Sequence, residues 1–348
     1  MLIKMQVGEQ DRGELQVNVT DSDNAPIRDA RVTISEPETA INPNSPIERL
    51  ETDVSGQTQI VDLNTPPLEY SLNENNENMP YANYNIQIEV PGYETENIRN
   101  VEILPDSLSL QNVRMRKREG EQVENIDIDP HTLYAEYPEK IPEDEIKDVN
   151  EPGEIVLSRV VIPEYVVVHN GTPSSNARDY YVTYKDYIKN VASSEIYATW
   201  PRATIEANVL AIMSFTLNRV YTEWYRNKGY DFTITSSTAY DQKWIYGRNI
   251  FQSIDEVVDE IFDQYLSRPD VRQPILTQYC DGKRVTCPNW LSQWGSCNLG
   301  EQGFGTLEII RNYYGDDMYI NTAEQISGIP ASWPGYDLTI GASGQKVM

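Results

Sequence analysis

Glu195 has the setting in this sequence that best suits proton-transfer chemistry. It follows a short predicted helix, "KDYIKNVASSEI", and is flanked by Ile196, Tyr197 and Trp200. Cleaving a glycosidic bond requires a carboxylic acid beside the bridging oxygen, with a pKa raised by apolar surroundings so that it keeps its proton near neutrality. Because carboxylates at ordinary helix ends have similar neighbours, the residues alone leave open whether Glu195 is catalytic.

The residues around Glu195 belong to a stretch with helical periodicity. Pro201 suits a first helical turn, and Ile205, Val209 and Ile212 follow on one helix face. The apolar run "VVIPEYVVVHNG" predicts a buried strand before these helices, and "DFTITSS" and "PILTQYC" predict further strands after them. We therefore predict a mixed α+β domain over residues 159–325.

The first third of the chain alternates apolar and polar residues. Leu15, Val17 and Val19 begin the alternation, and "TDVSGQTQI", "YNIQIEVPGYE" and "LSLQNVRMR" continue it. About seven short strands with turn residues between them predict a small all-β sandwich over residues 1–115.

Residues 116–158 interrupt both patterns. The stretch is charged, contains four prolines and has few periodic apolar positions. It is predicted to be an exposed linker, and exposed linkers are where proteases cut. A spacer whose role is only to tether two domains is the alternative.

The charge of the chain argues against a nucleic-acid partner. A formal charge of -26 provides no clustered Lys and Arg to replace the counterions of a phosphate backbone. The N-terminal residues "MLIKMQVGEQDRGELQ" contain no apolar segment, and no run of eighteen apolar residues occurs. We expect no cleavable signal peptide and no membrane partner.

Three cysteines are candidate metal ligands. Cys280, Cys287 and Cys297 lie close together, but neither spacing is CxxC, and both histidines, His131 and His169, lie far upstream. We predict no metal and no other cofactor. A Cys280–Cys287 bridge that closes a hairpin, or ordinary buried thiols, are the readings left open.

Two resemblances add to this interpretation. Over residues 13–115, "PIRDARVTI", a "TDxxG" turn and "YNIQIEVPGY" resemble the transthyretin-like sandwich appended to many secreted enzymes. Over residues 180–317, "DYIKNVASSEIYATWPRATIEANVLAIMSFTLNR" and "LSQWGSCNLGEQGFGTLEIIRNYYGDD" are similar to the two long motifs of the SpoIID/LytB family. The first resemblance implies no catalysis, and the second implies a lytic transglycosylase domain.

The SpoIID/LytB resemblance also assigns residues. The Glu of the family's "SEMP" motif falls on Glu195, which would be the catalytic acid. The "SQWG" motif and the "YY" pair would bind substrate, and they fall on Ser292, Gln293, Trp294, Gly295, Tyr313 and Tyr314. Flat aromatic faces suit sugar rings, although core aromatics are the alternative for each residue. The family's Lys and Arg are replaced here by Glu206 and Met213, with Arg202 and Arg219 as possible substitutes.

A lytic transglycosylase requires one carboxylate. As implied by the resemblance, Glu195 would protonate the oxygen between N-acetylmuramic acid and N-acetylglucosamine, then accept the proton of the muramic C6 hydroxyl as a 1,6-anhydro ring closes. Ordinary glycosidases use two carboxylates. Since Asp179, Asp186 and Asp241 are available as second carboxylates, hydrolysis stays open.

The order of the segments resembles the SleC-type spore cortex-lytic enzymes of clostridia, which are made as proenzymes. This resemblance implies a pro-domain at 1–115, a processing linker at 116–158, a SpoIID-like domain at 159–325, and the start of a truncated peptidoglycan-binding repeat at 326–348. It further implies a location in the spore cortex, synthesis in the mother cell, and activation by a subtilisin-like germination protease. The alternatives are a non-catalytic SpoIID/LytB-type enhancer or binding module and a cell-wall amidase.

Overall fold

The chain is mixed α+β, as predicted, and contains several sheets. The computed structural model describes residues 10–37, 45–118, 123–148, 155–328 and 339–341. It divides into two compact units. Unit 1 comprises Met1–Ala135, Tyr197–Thr199 and Ile245–Asp255, and unit 2 comprises Glu136–Ile196, Trp200–Trp244 and Glu256–Met348.

The strands in these ranges are β1 Asp11–Thr20, β2 Arg31–Ser35, β3 Pro46–Glu51, β4 Val61–Thr65, β5 Ala82–Glu89, β6 Thr95–Ile103, β7 Leu108–Arg114, β8 Val123–Asp127, β9 Ile155–Leu157, β10 Val161–Ile162, β11 Tyr165–His169, β12 Asp179–Thr183, β13 Ile234–Thr235, β14 Ile250–Phe251, β15 Gln264–Ser267, β16 Tyr279–Cys280, β17 Leu291–Ser292, β18 Tyr319–Thr322, β19 Glu324–Gln325 and β20 Thr339–Gly341. The helices are α1 Glu69–Leu72, α2 Tyr184–Glu195, α3 Arg202–Tyr221, α4 Gln252–Ile261, α5 Gln293–Glu301 and α6 Thr306–Tyr314. No helix of the described residues is both long and apolar enough to span a membrane.

Unit 1 contains two sheets, in the strand orders β14-β7-β1-β4 and β3-β2-β5-β6-β8. The alternating residues Leu15, Val17 and Val19 of β1 are fully buried, as are Val32 and Ile34 of β2. They belong to one apolar core shared by both sheets. The period-two pattern therefore identified the buried face of these strands correctly.

One strand of unit 1 comes from a distant part of the sequence. β14 pairs antiparallel with β7, with Ile250 opposite Leu110. Next to it, Arg248 forms a buried salt bridge with Glu102, and the side chain of Asn249 hydrogen-bonds the Glu102 backbone in both directions. Residues 245–255 lie in the range predicted as the SpoIID-like domain, yet they belong to unit 1.

Unit 2 is built around helix α3. Its residues are almost all buried, and two of its polar side chains bond within the helix: Ser214 and Thr216 donate hydrogen bonds to backbone carbonyls four residues earlier. A helix that is buried on all sides serves as a central core element. The sheet β12-β11-β13 belongs to the same unit, with β12 antiparallel and β13 parallel to β11.

The stretch predicted as an exposed linker is not exposed throughout. β8 pairs parallel with β6 in unit 1, and His131 is fully buried. In unit 2, Tyr137, Lys140 and Lys147 are buried. The prediction missed these residues because charged side chains have buried partners here, which hydropathy alone does not reveal. Residues 119–122 and 149–154 lie outside the described residues.

Only part of the C-terminal prediction can be examined. Of the predicted repeat at 326–348, the structure describes 326–328 and β20, which pairs antiparallel with β9. The other residues of that repeat lie outside the described residues, so the repeat stays a prediction.

Candidate active site

Glu195 is the last residue of helix α2. The helix begins after Thr183, whose hydroxyl accepts a hydrogen bond from the backbone N–H of Asp186, and its second half is buried. Ile196 takes an extended conformation and ends the helix. This geometry buries the Glu195 side chain completely, with an exposed fraction of 0%.

Both carboxylate oxygens of Glu195 accept a hydrogen bond. The hydroxyl of Tyr279 donates to Oε2 at 2.5 Å, and the backbone N–H of Lys243 donates to Oε1 at 2.7 Å. Tyr279 is itself fully buried, and burial together with the neighbouring Glu195 raises the Tyr279 pKa well above its usual value. Tyr279 therefore stays a hydrogen-bond donor at any physiological pH.

The pKa of Glu195 is raised above its ordinary value. Burial is the largest cause, because a carboxylate loses its hydration there. The charge of Lys140 and the two hydrogen bonds oppose this effect without cancelling it. A raised pKa favours the protonated form of a carboxyl group, which is the form required of a general acid.

Lys140 is the buried cation whose charge most strongly lowers the pKa of Glu195. Its ammonium group lies 4.3 Å from the centre of the Tyr279 ring and donates to the backbone carbonyl of Asp241 at 2.8 Å. Burial lowers the pKa of Lys140, while Glu195 and Asp241 oppose that shift. Tyr137 is buried in the same environment, and Glu195 contributes to its raised pKa.

An ionic cluster anchors the segment that carries Lys140. Arg219 donates to both carboxylate oxygens of Glu143, at 2.9 and 2.6 Å, and its Nε donates to Asp241 at 2.7 Å. Lys147 pairs with the same Glu143. Burial alone would raise the pKa of Glu143, but Arg219 and Lys147 outweigh it and lower the pKa. We call residues 136–148 the covering segment. They supply Tyr137 and Lys140, which are buried in the environment of Glu195.

The predicted "SQWG" residues form the start of helix α5. Ser292 is its N-cap and accepts a hydrogen bond from the backbone N–H of Gly295 at 2.9 Å. A Cβ atom on Gly295 would lie 2.2 Å from the Tyr313 hydroxyl oxygen, so a larger residue would have to displace the Tyr313 side chain. Trp294 is 5% exposed and packs against Trp200, with ring centres 5.2 Å apart.

The remaining predicted binding residues have similar surroundings. Tyr313 is hydrogen-bonded to Ser292, and the hydroxyl of buried Tyr314 donates to the backbone carbonyl of Gln278 at 2.9 Å. Gln293 is fully buried, and its side-chain amide has no hydrogen-bond partner in the described part of the chain. The contacts of these residues are those of a packed core, and their role in substrate binding stays a prediction.

A short strand pair joins the motif to Glu195. β16 and β17 are parallel, with Tyr279 paired to Leu291 and Cys280 paired to Ser292. Ser292, the first residue of the motif, therefore directly follows the strand partner of Tyr279. The hydroxyl of Tyr279 binds the Glu195 carboxylate. The structure thus places the two sequence motifs in one connected region of unit 2.

The three other candidate carboxylates have their own partners. Asp179 binds Nδ1 of His169 at 2.7 Å, Asp186 binds the Thr183 hydroxyl, and Asp241 is paired with Arg219. None of the three is among the main causes of the shift in the Glu195 pKa.

The cysteines do not form a metal-like cluster. Cys280 and Cys287 are joined by a disulfide across a Cα–Cα distance of 5.6 Å, and Cys297 is a buried free thiol. Within the described ranges, no three residues among His, Cys, Asp and Glu are grouped so that they could hold a metal ion.

The sequence patterns did not identify Lys140, Tyr279 or Lys243 as neighbours of Glu195. Lys140 lies in the predicted linker, Tyr279 in a predicted strand, and Lys243 contributes only its backbone. The one local signal is "YPEKIP", in which two prolines flank Lys140, since prolines favour an extended segment.

Comparison with known proteins gives little information about this site. No family model matches the chain, and no curated protein matches it. Among solved structures, it is similar to a catechol 1,2-dioxygenase of Acinetobacter radioresistens, with 14% identity over 34% of this chain and 58% of that chain, and a TM-score of 0.23. The minor pilin GBS52 of Streptococcus agalactiae is 17% identical over 33% of this chain and 48% of that chain, with a TM-score of 0.22.

The TIE protein of Bacillus anthracis is 13% identical over 31% of this chain and 17% of that chain, with a TM-score of 0.20. The chain thus spans less than two thirds of the length of each of these three proteins. Similarities at this level do not bear on its function.

Proposed function

We propose that the chain is a peptidoglycan lytic transglycosylase of the SpoIID/LytB type, with Glu195 as its single catalytic acid and base. The observation that carries the proposal is the environment of Glu195: a buried carboxyl group with a raised pKa, at the position of the family's acid. The other candidate carboxylates, Asp179, Asp186 and Asp241, are bound to other residues. A single acid suits formation of a 1,6-anhydro ring better than hydrolysis, which uses a carboxylate pair.

In this proposal the enzyme is made as a proenzyme of the SleC type. The support comes from the covering segment, which lies within the stretch predicted as the processing linker. Its Tyr137 and Lys140 are buried in the surroundings of Glu195, and Arg219 anchors it through Glu143. A proteolytic cut that releases this segment would remove Lys140 and give a glycan strand access to the carboxyl group.

The finer assignments of the fold and the setting belong to the same proposal. The two sheets of unit 1 with their common core fit a transthyretin-like sandwich acting as the pro-domain. The substrate would be the glycan strand of spore cortex, and the activating partner would be a subtilisin-like germination protease. The cortex location and production in the mother cell follow from the SleC resemblance alone.

One observation favours a second candidate function. Glu195 is fully buried in this state, as expected if the carboxyl group only stabilises the fold of a non-catalytic enhancer or binding module. Under this alternative the chain would bind peptidoglycan without cutting it.

The products formed from purified cortex peptidoglycan separate these possibilities. Full-length chain is treated with subtilisin in limiting amount and incubated with the substrate, and the released fragments are analysed by mass spectrometry. The proposal predicts 1,6-anhydro-muramic ends. Reducing ends would indicate a hydrolase, and free lactyl groups on muramic acid would indicate an amidase. Binding without any released product would favour the enhancer.

A further inference from the structure

Unit 2 contains a second cleft that does not include Glu195. It has a volume of about 450 Å³, which lies in the range of small-molecule sites. One wall is a face of the β11–β12 pair, where Tyr165, Val167 and Tyr181 lie side by side because Val167 is opposite Tyr181 in the register. The other wall runs from the end of α3 to Thr233.

Aromatic rings make this cleft rigid. Phe232 stacks on His169 with ring centres 4.6 Å apart, and Tyr225 and Tyr230 pack against Phe232 at 4.8 and 5.0 Å. Tyr181 stands at the rim with an exposed fraction of 72%. An exposed ring held on a regular strand offers a flat, preorganised apolar surface whose hydroxyl stays polar.

The cleft also contains carboxylates that accept no hydrogen bond from a described residue. Glu223 and Asp231 line it, and neither carboxylate is hydrogen-bonded to any residue within the described ranges. Glu223 has a left-handed backbone with φ of +46°, an uncommon and strained conformation for a residue other than glycine. Burial raises the pKa of Glu223 to about 7, and the nearby Arg226 opposes the shift. Strained residues with perturbed pKa values occur often at binding sites.

We propose that this cleft is an accessory binding subsite for a neutral N-acetylhexosamine glycan segment, with Tyr181 stacking on a sugar ring and Glu223 accepting a hydroxyl hydrogen bond. The choice of ligand rests on the function proposed above. A flat ring beside unpaired acceptors matches the apolar faces and hydroxyl edges of a sugar. Glu223 and Asp231 disfavour the carboxylates of the peptide stems, and Arg226, which also lines the cleft, offsets part of this repulsion.

The test uses the full-length chain carrying Glu195→Gln, so that no turnover interferes, and the probe is the β-1,4-linked tetramer of N-acetylglucosamine. Binding is measured by isothermal titration calorimetry. Adding Tyr181→Ala should weaken binding about tenfold, because one ring-stacking contact is lost. Tyr319→Ala is the matched control, since Tyr319 is an exposed tyrosine of β18 that does not line the cleft.

A second pair of variants tests the carboxylate. Glu223→Ala should weaken binding, whereas Glu223→Gln should largely preserve it, because the amide oxygen remains an acceptor. Thermal unfolding of each variant shows whether a loss of binding is accompanied by a loss of fold. The Tyr181 comparison decides the proposal if a Glu223 variant does not fold.

Three outcomes would overturn the subsite. The first two are equal affinity of Tyr181→Ala and Tyr319→Ala, and no binding of the tetramer. Tyr181-dependent binding of a stem peptide in place of the tetramer would also overturn it. Failure of the proposed function is distinguishable, because it appears as absence of anhydro ends from wild-type protein. Tyr181-dependent glycan binding would support the subsite even then.

Discussion

Replacing Glu143 with Gln should release the covering segment. Glu143 accepts two hydrogen bonds from the buried Arg219 and pairs with Lys147. The amide keeps one acceptor oxygen and loses the charge. Hydrogen bonds to charged groups contribute about 1.5–3 kcal/mol, and breaking a fully buried ion pair costs about 3–5 kcal/mol.

The expected cost lies within the lower of these two ranges. The side chain of Glu143 is 15% exposed, and Arg219 keeps its bonds to Asp241 and to the Tyr240 carbonyl. We expect a loss of about 2–3 kcal/mol of local stability, which raises the open population of the segment about 30- to 150-fold. Proteolysis follows that population when the segment opens and closes faster than the protease cuts.

The assay is the rate of subtilisin cleavage within residues 136–148, with the cut site identified by mass spectrometry. Asp144→Asn is the matched control, because it removes the same charge from the next residue, which is exposed. Glu143→Gln should be cut faster by the factor above, and Asp144→Asn should resemble wild type. Equal cleavage rates for the two variants would refute the anchoring role of Glu143.

Three further predictions follow from the surroundings of Glu195 and α5. Burial raises the pKa of Glu195. Wild type should therefore lose stability relative to Glu195→Gln by about 1.4 kcal/mol per pH unit as pH rises from 4.5 towards that pKa. The same pH dependence of the urea-unfolding free energy in both proteins across this window would contradict it. Gly295→Ala should cost about 1–3 kcal/mol of stability by overpacking against the Tyr313 hydroxyl. Adding Tyr313→Phe should recover most of that loss in thermal unfolding. Strictly additive losses of stability in the double variant would exclude the clash. Trp294→Ala should cost about 3–5 kcal/mol, because the ring packs against Trp200; an unchanged melting temperature with reduced glycan binding would assign Trp294 to the substrate instead.

Periodicity predicted the buried faces well. The alternation of Leu15 with Val17 and the helical stripe from Ile205 both proved to be core. Such patterns are visible because each apolar residue is buried for a reason intrinsic to its own side chain.

The partners of Glu195 were not predictable in the same way. Lys140 and Tyr279 lie far from Glu195 in the sequence. Lys243 binds Glu195 through a backbone N–H, which no side-chain pattern encodes. A charged stretch also indicates solvent exposure unless its partners are known. For this reason residues 136–148 were predicted to be exposed. Burial of Lys140 and Glu143 depends on Arg219 and Asp241, and only the folded chain brings these four together.

The catalytic role of Glu195 is tested by comparing wild type with Glu195→Gln after the same subtilisin treatment. Both full-length proteins are incubated with purified spore cortex, and the glycan ends are identified by mass spectrometry, in which an anhydro end lacks one water relative to a hydrolysed end. We expect anhydro-muramic ends from wild type and a rate lower by about 10²–10⁴-fold or more from Glu195→Gln, which keeps the fold but cannot transfer the proton. Anhydro ends formed equally fast by both proteins would contradict the assignment of Glu195.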